Sequence, residues 1–233
     1  MALSLGSSVA DKVYLGATEV ALAYLGATQV YSAASYLLDQ YPGAAAAYSL
    51  RALSSGWAAG DVVRARRVNT PGEANFTAGQ VANGELATWA LSGDAFVTTW
   101  YDQSGNANNA TQATTTAQPK IVSAGTLVVG GLDFDGVDDY LTIGTKIVKP
   151  EANGNSVFAV RTASALEVSA GVLSEQDSAA SSQFILGDAV YGIAVLWVNG
   201  TAFGTDATGT KLIGFDWDEV EFQAYIDGSA SGA

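Results

Sequence analysis

Residues 219–226 read EVEFQAYI, the most regular alternation in the chain. Val220, Phe222, Ala224 and Ile226 fall on one face of a period-two strand, while Glu219, Glu221, Gln223 and Tyr225 fall on the other. One dry face and one wet face is what a strand of an antiparallel sandwich requires. Upstream, Tyr191 to Val198 runs into Asn199-Gly200, a pair that takes up positive φ readily and so predicts a tight hairpin turn. Phe184–Leu186, Val157–Val160, Phe96–Tyr101 and Val62–Val68 read as further strands, the last alternating Val63, Ala65 and Arg67 against Arg64 and Arg66. Leu132–Phe134 and Tyr140–Ile143 read as a hairpin-like pair of apolar strands around an acidic turn. Many short strands with turns between them imply sheet-on-sheet packing. The expectation is an all-β fold, an antiparallel β-sandwich of jelly-roll, concanavalin-like type. Two short helices complete it: Pro42 followed by Ala44–Ala47, Leu50 and Leu53 predicts one over 44–54, and Gly84 to Leu91 predicts the other.

The N-terminal segment contains a repeat. Tyr14–Val20 reads YLGATEV and Tyr24–Val30 reads YLGATQV, ten residues later. Each copy predicts a strand, a turn at Gly16 or Gly26, and a returning strand, the two together making a small β-meander. About thirty residues bury too little surface to fold alone. Such a unit docks on its own domain or on another chain. Ser32–Ser35 reads as a linker, so the division expected is 1–32 for the repeat and 36–233 for the sandwich.

Composition narrows the chemistry. The chain has 233 residues and a net charge of −13, from ten basic against 23 acidic side chains. Phosphate backbones are bound by clustered Lys and Arg, so no nucleic-acid partner and no anionic membrane is expected. No apolar run is long enough to span a bilayer. Met1 to Gly6 carries no secretory signature. With no Cys and no His, disulfides, thiol nucleophiles, His-ligated zinc and the Ser-His-Asp triad are excluded. Carboxylate chemistry remains, with glycoside hydrolysis the natural candidate.

Residues 100–112 read WYDQSGNANNATQ and residues 132–143 read LDFDGVDDYLTI. A D-x-SGN-x-N loop followed by FDG-x-DDYL resembles the concanavalin A-like lectin/glucanase (laminin-G-like) superfamily. The segment Leu196-Trp197-Val198-Asn199-Gly200 resembles that superfamily's aromatic-Val-Asp/Asn-Gly hairpin. The Ala-rich stretch, Ser49–Leu53, the Arg-rich strand and Tyr101–Asn106 also resemble the catalytic domain of fungal-type α-L-arabinofuranosidases, and phage structural proteins that carry that domain. In such enzymes a Glu nucleophile follows the strand matching Val157–Val160. The resemblance sets Glu175 loosely there, without the family's Cys-Cys-Phe-Asp-Tyr context or its disulfides, and the matching segment for the acid Asp lies beyond Ala233. The opening Met, short polar stretch and two YLGAT copies resemble phage tail and structural proteins.

Candidate sites follow. Asp133, Asp135, Asp138 and Asp139 place four carboxylates within seven residues, suited to Ca²⁺ as a hard cation or else simply facing water as a turn. No cofactor is expected to be required, and Asp135, Asp138 and Asp139 are the candidate ligands if calcium binds. A glycosidase pair drawn from Glu175 with Asp177, or from Asp216, Asp218, Glu219 and Glu221, needs a separation of about 5–5.5 Å for retention or roughly 6.5–9.5 Å for inversion. Trp217, between two acids, reads as an exposed aromatic for a sugar face or as edge packing, whereas Trp100 and Trp197 read as core. Trp217, Asp102 and Asn106 are the ligand-binding candidates, and Arg51, Arg64, Arg66 and Arg67 are expected to pair with carboxylates. The function expected is a non-enzymatic phage virion protein, a capsid decoration, head fibre or tail-associated part. It would be made in the host cytoplasm and displayed on the virion surface, contacting other virion proteins through residues 1–32, forming a homo-oligomer and touching host glycans. The alternatives are an arabinofuranosidase-type glycoside hydrolase and a stand-alone carbohydrate-binding module.

Overall fold

A computed structural model describes residues 36–129, 131–145 and 147, and outside them the strands named below. The N-terminal strands are β1 (Tyr14–Leu15), β2 (Thr18–Glu19), β3 (Leu22–Leu25) and β4 (Thr28–Ser32). A single helical turn, α1 (Leu37–Gln40), precedes β5 (Asp61–Arg67) and β6 (Gly72–Thr77). Two short helices, α2 (Ala78–Ala82) and α3 (Glu85–Ala90), lead to β7 (Ala95–Trp100), β8 (Ala110–Thr111), β9 (Lys120–Ser123), β10 (Thr126–Leu127) and β11 (Thr142–Ile143). The C-terminal half comprises β12 (Asn155–Ala163), β13 (Gly171–Gln176), β14 (Gln183–Ala189), β15 (Ile193–Val198), β16 (Thr201–Asp206), β17 (Gly209–Trp217), β18 (Phe222–Ile226) and β19 (Ser229–Ser231).

The protein is an all-β antiparallel sandwich. A seven-stranded sheet runs in the order β10-β9-β7-β5-β6, with β8 joined to β7 and β11 joined to β8. Two four-stranded sheets follow, β12-β17-β18-β19 and β13-β14-β15-β16, and β16 approaches β18. Strand β18 carries the alternating segment and pairs with β17 through Phe222–Trp217 and Ala224–Phe215. Val198 pairs with Thr201, so the β15–β16 hairpin closes around Asn199-Gly200. Gly16, Gly26, Asn199 and Gly200 themselves lie outside the described residues.

The described core sits on one face of the seven-stranded sheet. Val62, Val63 and Ala65 of β5, Ala95 and Val97 of β7 and Ile121 and Val122 of β9 are buried against Leu86 and Ala90 of α3, Val81 of α2 and Phe76. Strict alternation would put Val62 and Val63 on opposite faces. A bulge between Asp61 and Val63 leaves Val62 as an extra residue on β5, and both valines are fully buried. The helix α3 falls where Gly84–Leu91 predicts it. Helix α2 has no apolar periodicity to announce it. Its signal is the capping box Thr77-Ala78-Gly79-Gln80, in which Thr77 Oγ1 accepts from Gln80 N at 3.3 Å and Gln80 Oε1 accepts from Thr77 N at 3.0 Å.

Three expectations are corrected. No helix forms over 44–54: α1 and a 3₁₀ turn at Ser55–Trp57 flank the segment, which is irregular between them. Its backbone groups are bonded instead by side chains some fifty residues away, as described below. The flanks of the acidic turn do not pair with each other. Asp133 bridges to Lys120 of β9, while Thr142 and Ile143 pair with Thr111 and Ala110 of β8. The N-terminal hairpins do not join into a meander among the described residues, because β1 pairs with β2 and β3 with β4 as separate ribbons. The link between them is Val20-Ala21, two residue types that disfavour the positive φ a two-residue reversal needs.

Of the three arginines of β5, Arg64 meets the expectation of a carboxylate partner and the other two depart from it. Arg64 pairs with Glu73 at 2.8 Å across β5–β6. Arg66 instead donates to Gln118 Oε1 at 2.8 Å and lies over the Phe96 ring. Arg67 donates to the Trp89 carbonyl at 2.7 Å and covers its indole at 4.8 Å. A planar guanidinium suits such stacked positions, with its charge solvated by carbonyls rather than by an acid.

Leu91, which ends α3, has φ 59° and ψ −136° and an exposed side chain. An L-residue is strained in this region, which glycine enters freely. Leu91→Gly is therefore expected to raise stability by about 1 kcal/mol, read as a higher urea midpoint at unchanged slope. A lowered midpoint would show that the Leu91 side chain stabilises more than its backbone costs.

Candidate functional site

The polar loop after β7 is organised by one buried acid. Asp102 is fully buried, and its carboxylate accepts four bonds. Oδ1 takes Ala47 N at 2.8 Å and Ser104 N at 2.9 Å, and Oδ2 takes Ser104 Oγ at 2.7 Å and Asn108 N at 3.0 Å. Gln103 does the equivalent with a neutral side chain. Its Nε2 donates to the carbonyls of Ser49 and Arg51, and its Oε1 accepts from Leu53 N at 2.8 Å. Asn106 donates to the carbonyls of Ala44 and Ala45, and Asn108 donates to Ala45 as well. The Tyr48 hydroxyl donates to the Asn108 carbonyl, and burial, followed by the nearby Asp102 charge, pushes its pKa up. The ring of Tyr48 leans on Trp100, whose indole packs against the core as expected.

This network accounts for the missing helix. An Ala-rich segment gains only tenths of a kcal/mol per residue from helical propensity. A carboxylate or amide that satisfies its backbone in a partly buried setting contributes more per bond. Asp102 and Asn106 thus both face the segment 44–53, and the bonds just named engage them with the protein's own backbone. Gln103, Asn108 and Tyr48 belong to the same arrangement and were not singled out by sequence. The run SGNANN at 104–109 was a signal for Asn108, but not for which segment it binds.

The acidic turn brings its three candidate ligands together. Asp135, Asp138 and Asp139 each present a carboxylate oxygen, and these atoms lie within 4.8 Å of one another. The turn is closed from within: Asp135 Oδ1 accepts from Val137 N at 2.8 Å and Asp138 N at 3.2 Å, and Asp139 Oδ2 accepts from Asp135 N at 3.0 Å. The Val137 N–H bond holds Asp135 below the usual carboxylate range. Partial burial, with the charges of Asp135, Asp138 and Asp133 adding to it, pushes Asp139 up despite its bond from Asp135 N. Three oxygens at this spacing can supply part of a hard-cation shell, and the turn's own hydrogen bonds hold it without one. Phe134, Val137 and Tyr140 stand exposed around it.

Of the carboxylates considered for catalysis, Glu175 stands on β13 opposite Phe184, and Asp216 on β17 opposite Ser156 and Gln223. Trp217 closes β17, paired with Asn155 and Phe222. Glu175 and Trp217 therefore belong to different four-stranded sheets. Asp177, Asp218, Glu219 and Glu221 lie outside the described residues.

Neither the family models nor the curated proteins yield a match to this chain. Among solved structures, the fold is similar to that of a GH54 α-L-arabinofuranosidase soaked with a cyclic sulfate inhibitor. The TM-score is 0.52 at 15% identity, covering 84% of this chain and 51% of the other. The chain thus spans about half the length of the enzyme structure it resembles. At this identity the likeness defines the class of fold, and it agrees with the concanavalin-like, arabinofuranosidase-type scaffold read from the motifs. It overturns the expectation of a non-enzyme, since the scaffold in question is that of a glycoside hydrolase.

Proposed function

We propose that this chain is a glycan-directed protein whose arabinofuranosidase-type sandwich engages arabinose-containing polysaccharide. The observation that carries the reading is the likeness to an arabinofuranosidase over 84% of the chain. The motif resemblances at Trp100–Gln112 and Leu132–Ile143 support it independently of that superposition. With no Cys and no His, the paired carboxylates that most glycoside hydrolases use are the natural groups for this chain to offer a glycosidic bond. Within the resemblance, Glu175 on β13 is the residue to test for that role, and Trp217 the aromatic to test for sugar stacking.

The experiment is release of nitrophenol from an aryl α-L-arabinofuranoside, beside calorimetric titration with arabinan. If the sandwich hydrolyses, Glu175→Gln is expected to lower turnover by about 100-fold or more with the fold intact. If it binds without turnover, Trp217→Ala is expected to weaken arabinan binding by about tenfold. A folded protein that neither binds arabinan nor releases nitrophenol removes the proposal.

A finer reading places the sandwich on a bacteriophage particle, as a capsid decoration, head fibre or tail-associated component, with residues 1–32 as its anchor. Its support is the resemblance of the YLGAT repeat to phage tail and structural proteins. It is compatible with the first reading, since a particle-borne sandwich would meet glycans at the host surface. Stoichiometric co-purification with intact virions tests it, and absence from purified virions rejects it.

A further inference from the structure

The two N-terminal hairpins share one register. Tyr14 pairs with Glu19 and Leu15 with Thr18 in the first, and Tyr24 pairs with Gln29 and Leu25 with Thr28 in the second. In both, two residues, Gly-Ala, separate the innermost pair, and Gly at the first position suits a type II′ reversal. The ten-residue period extends further upstream in sequence. Leu5-Gly6-Ser7-Ser8 stands ten residues before Leu15-Gly16-Ala17-Thr18, with small and hydroxyl residues at the same places. An array of short, equal units that cannot each bury a core is the signature of a structure stabilised by neighbour-to-neighbour contact.

The hairpins do not supply that contact to each other. Among the described residues each is hydrogen-bonded only within itself, and an isolated two-stranded ribbon is marginal in water. Among the described residues no further strand pairs with either ribbon, and an unpaired strand edge is able to accept another strand. Charge indicates which strand. Residues 1–35 contain Asp11, Lys12 and Glu19 as their charged side chains, a net −1, which leaves −12 of the total −13 on the remainder. The net charge of the remainder disfavours its contact with a second copy, whereas this segment meets its counterpart with little electrostatic cost. A second copy also offers the same strands in the same register, so one pairing rule serves every repeat.

We infer that residues 1–35 are a homotypic association module, in which the repeat hairpins of one chain pair edge to edge with those of a second copy. The association is a property of backbone edges and near-neutral strands. It is independent of the glycan reading, whose test measures binding and turnover.

Sedimentation of the full chain tests it. The expected result is an oligomer well above the monomer mass of 23.8 kDa. Two double variants probe the module. Gly16→Val with Gly26→Val removes the turns, and Tyr14→Lys with Tyr24→Lys keeps the turns but sets like charges at matched positions of every copy. Each is expected to weaken association by tenfold or more, and high salt is expected to recover it for the lysine pair alone, because salt screens charge and does not rebuild a turn. The thermal transition of the sandwich, followed in the same samples, separates loss of association from loss of folding. A full chain that sediments at 23.8 kDa overturns the inference. So does an oligomer that persists in both double variants.

Discussion

Replacing Asp102 with Ala is expected to destabilise the protein by about 4 kcal/mol. The carboxylate is fully buried and accepts four bonds, from Ala47 N, Ser104 N, Ser104 Oγ and Asn108 N. Its removal leaves several donors unsatisfied in a site that water reaches poorly, and each costs about 1–3 kcal/mol before relaxation. The segment 44–53 is also released on one side, since Ala47 is one of its fixed points. For a domain of this size the loss corresponds to roughly 10 °C in Tm. Asp102→Asn keeps the shape and one acceptor oxygen but turns a donor towards Ser104 Oγ and Asn108 N, so it is expected to cost about half as much. Urea unfolding of the two variants checks both the size and the order. A cost for Asp102→Ala below about 1 kcal/mol would mean that the loop is not what holds the segment.

Gly125→Ala comes next, with an expected loss of about 3 kcal/mol. Gly125 has φ +79°, which a β-carbon disfavours, and that β-carbon would stand 2.4 Å from the Leu91 carbonyl oxygen. The obstructing atom belongs to the backbone, so no rotamer change relieves the clash. Gly125 N also donates to the Gly93 carbonyl at 2.9 Å, so the turn cannot move away without losing that bond. Pulling β9 and β10 apart from the end of α3 is the remaining escape, and it would expose Ile121 and Val122 of the core. The midpoint of chemical unfolding is the measurement, with Leu91→Gly as a companion change on the other side of the contact. If Gly125→Ala unfolds within a few tenths of a kcal/mol of the parent, the close approach is not a constraint on the fold.

Strand identity was legible where the cause is local. The alternation in Phe222–Ile226 marks a strand because side chains of successive residues point to opposite faces, whatever else the chain does. The hairpin around Asn199-Gly200 was legible because the turn needs residues that tolerate positive φ. The scaffold resemblance was legible for a related reason: the loop and turn motifs that carry it are short, and each is set by its own backbone geometry. The absence of Cys and His removed thiol and imidazole chemistry without reference to a fold.

Pairing between distant segments was decided by tertiary structure alone. Leu132–Phe134 and Tyr140–Ile143 look like partners because they flank one turn, yet Asp133 bridges to Lys120 at the start of β9 and Thr142 pairs on the free side of β8. Ala44–Ser54 has the composition of a helix, yet its donors and acceptors are claimed by Asp102, Gln103, Asn106 and Asn108 from some fifty to sixty positions away. Nothing in residues 44–54 encodes that claim. Local propensity is worth tenths of a kcal/mol per residue, while a buried side chain that completes several backbone bonds is worth several times as much. Composition and periodicity therefore determined the class of fold and the range of chemistry open to this chain. Which polar residues became anchors and which stayed at the surface was decided only when the sheet brought distant segments together.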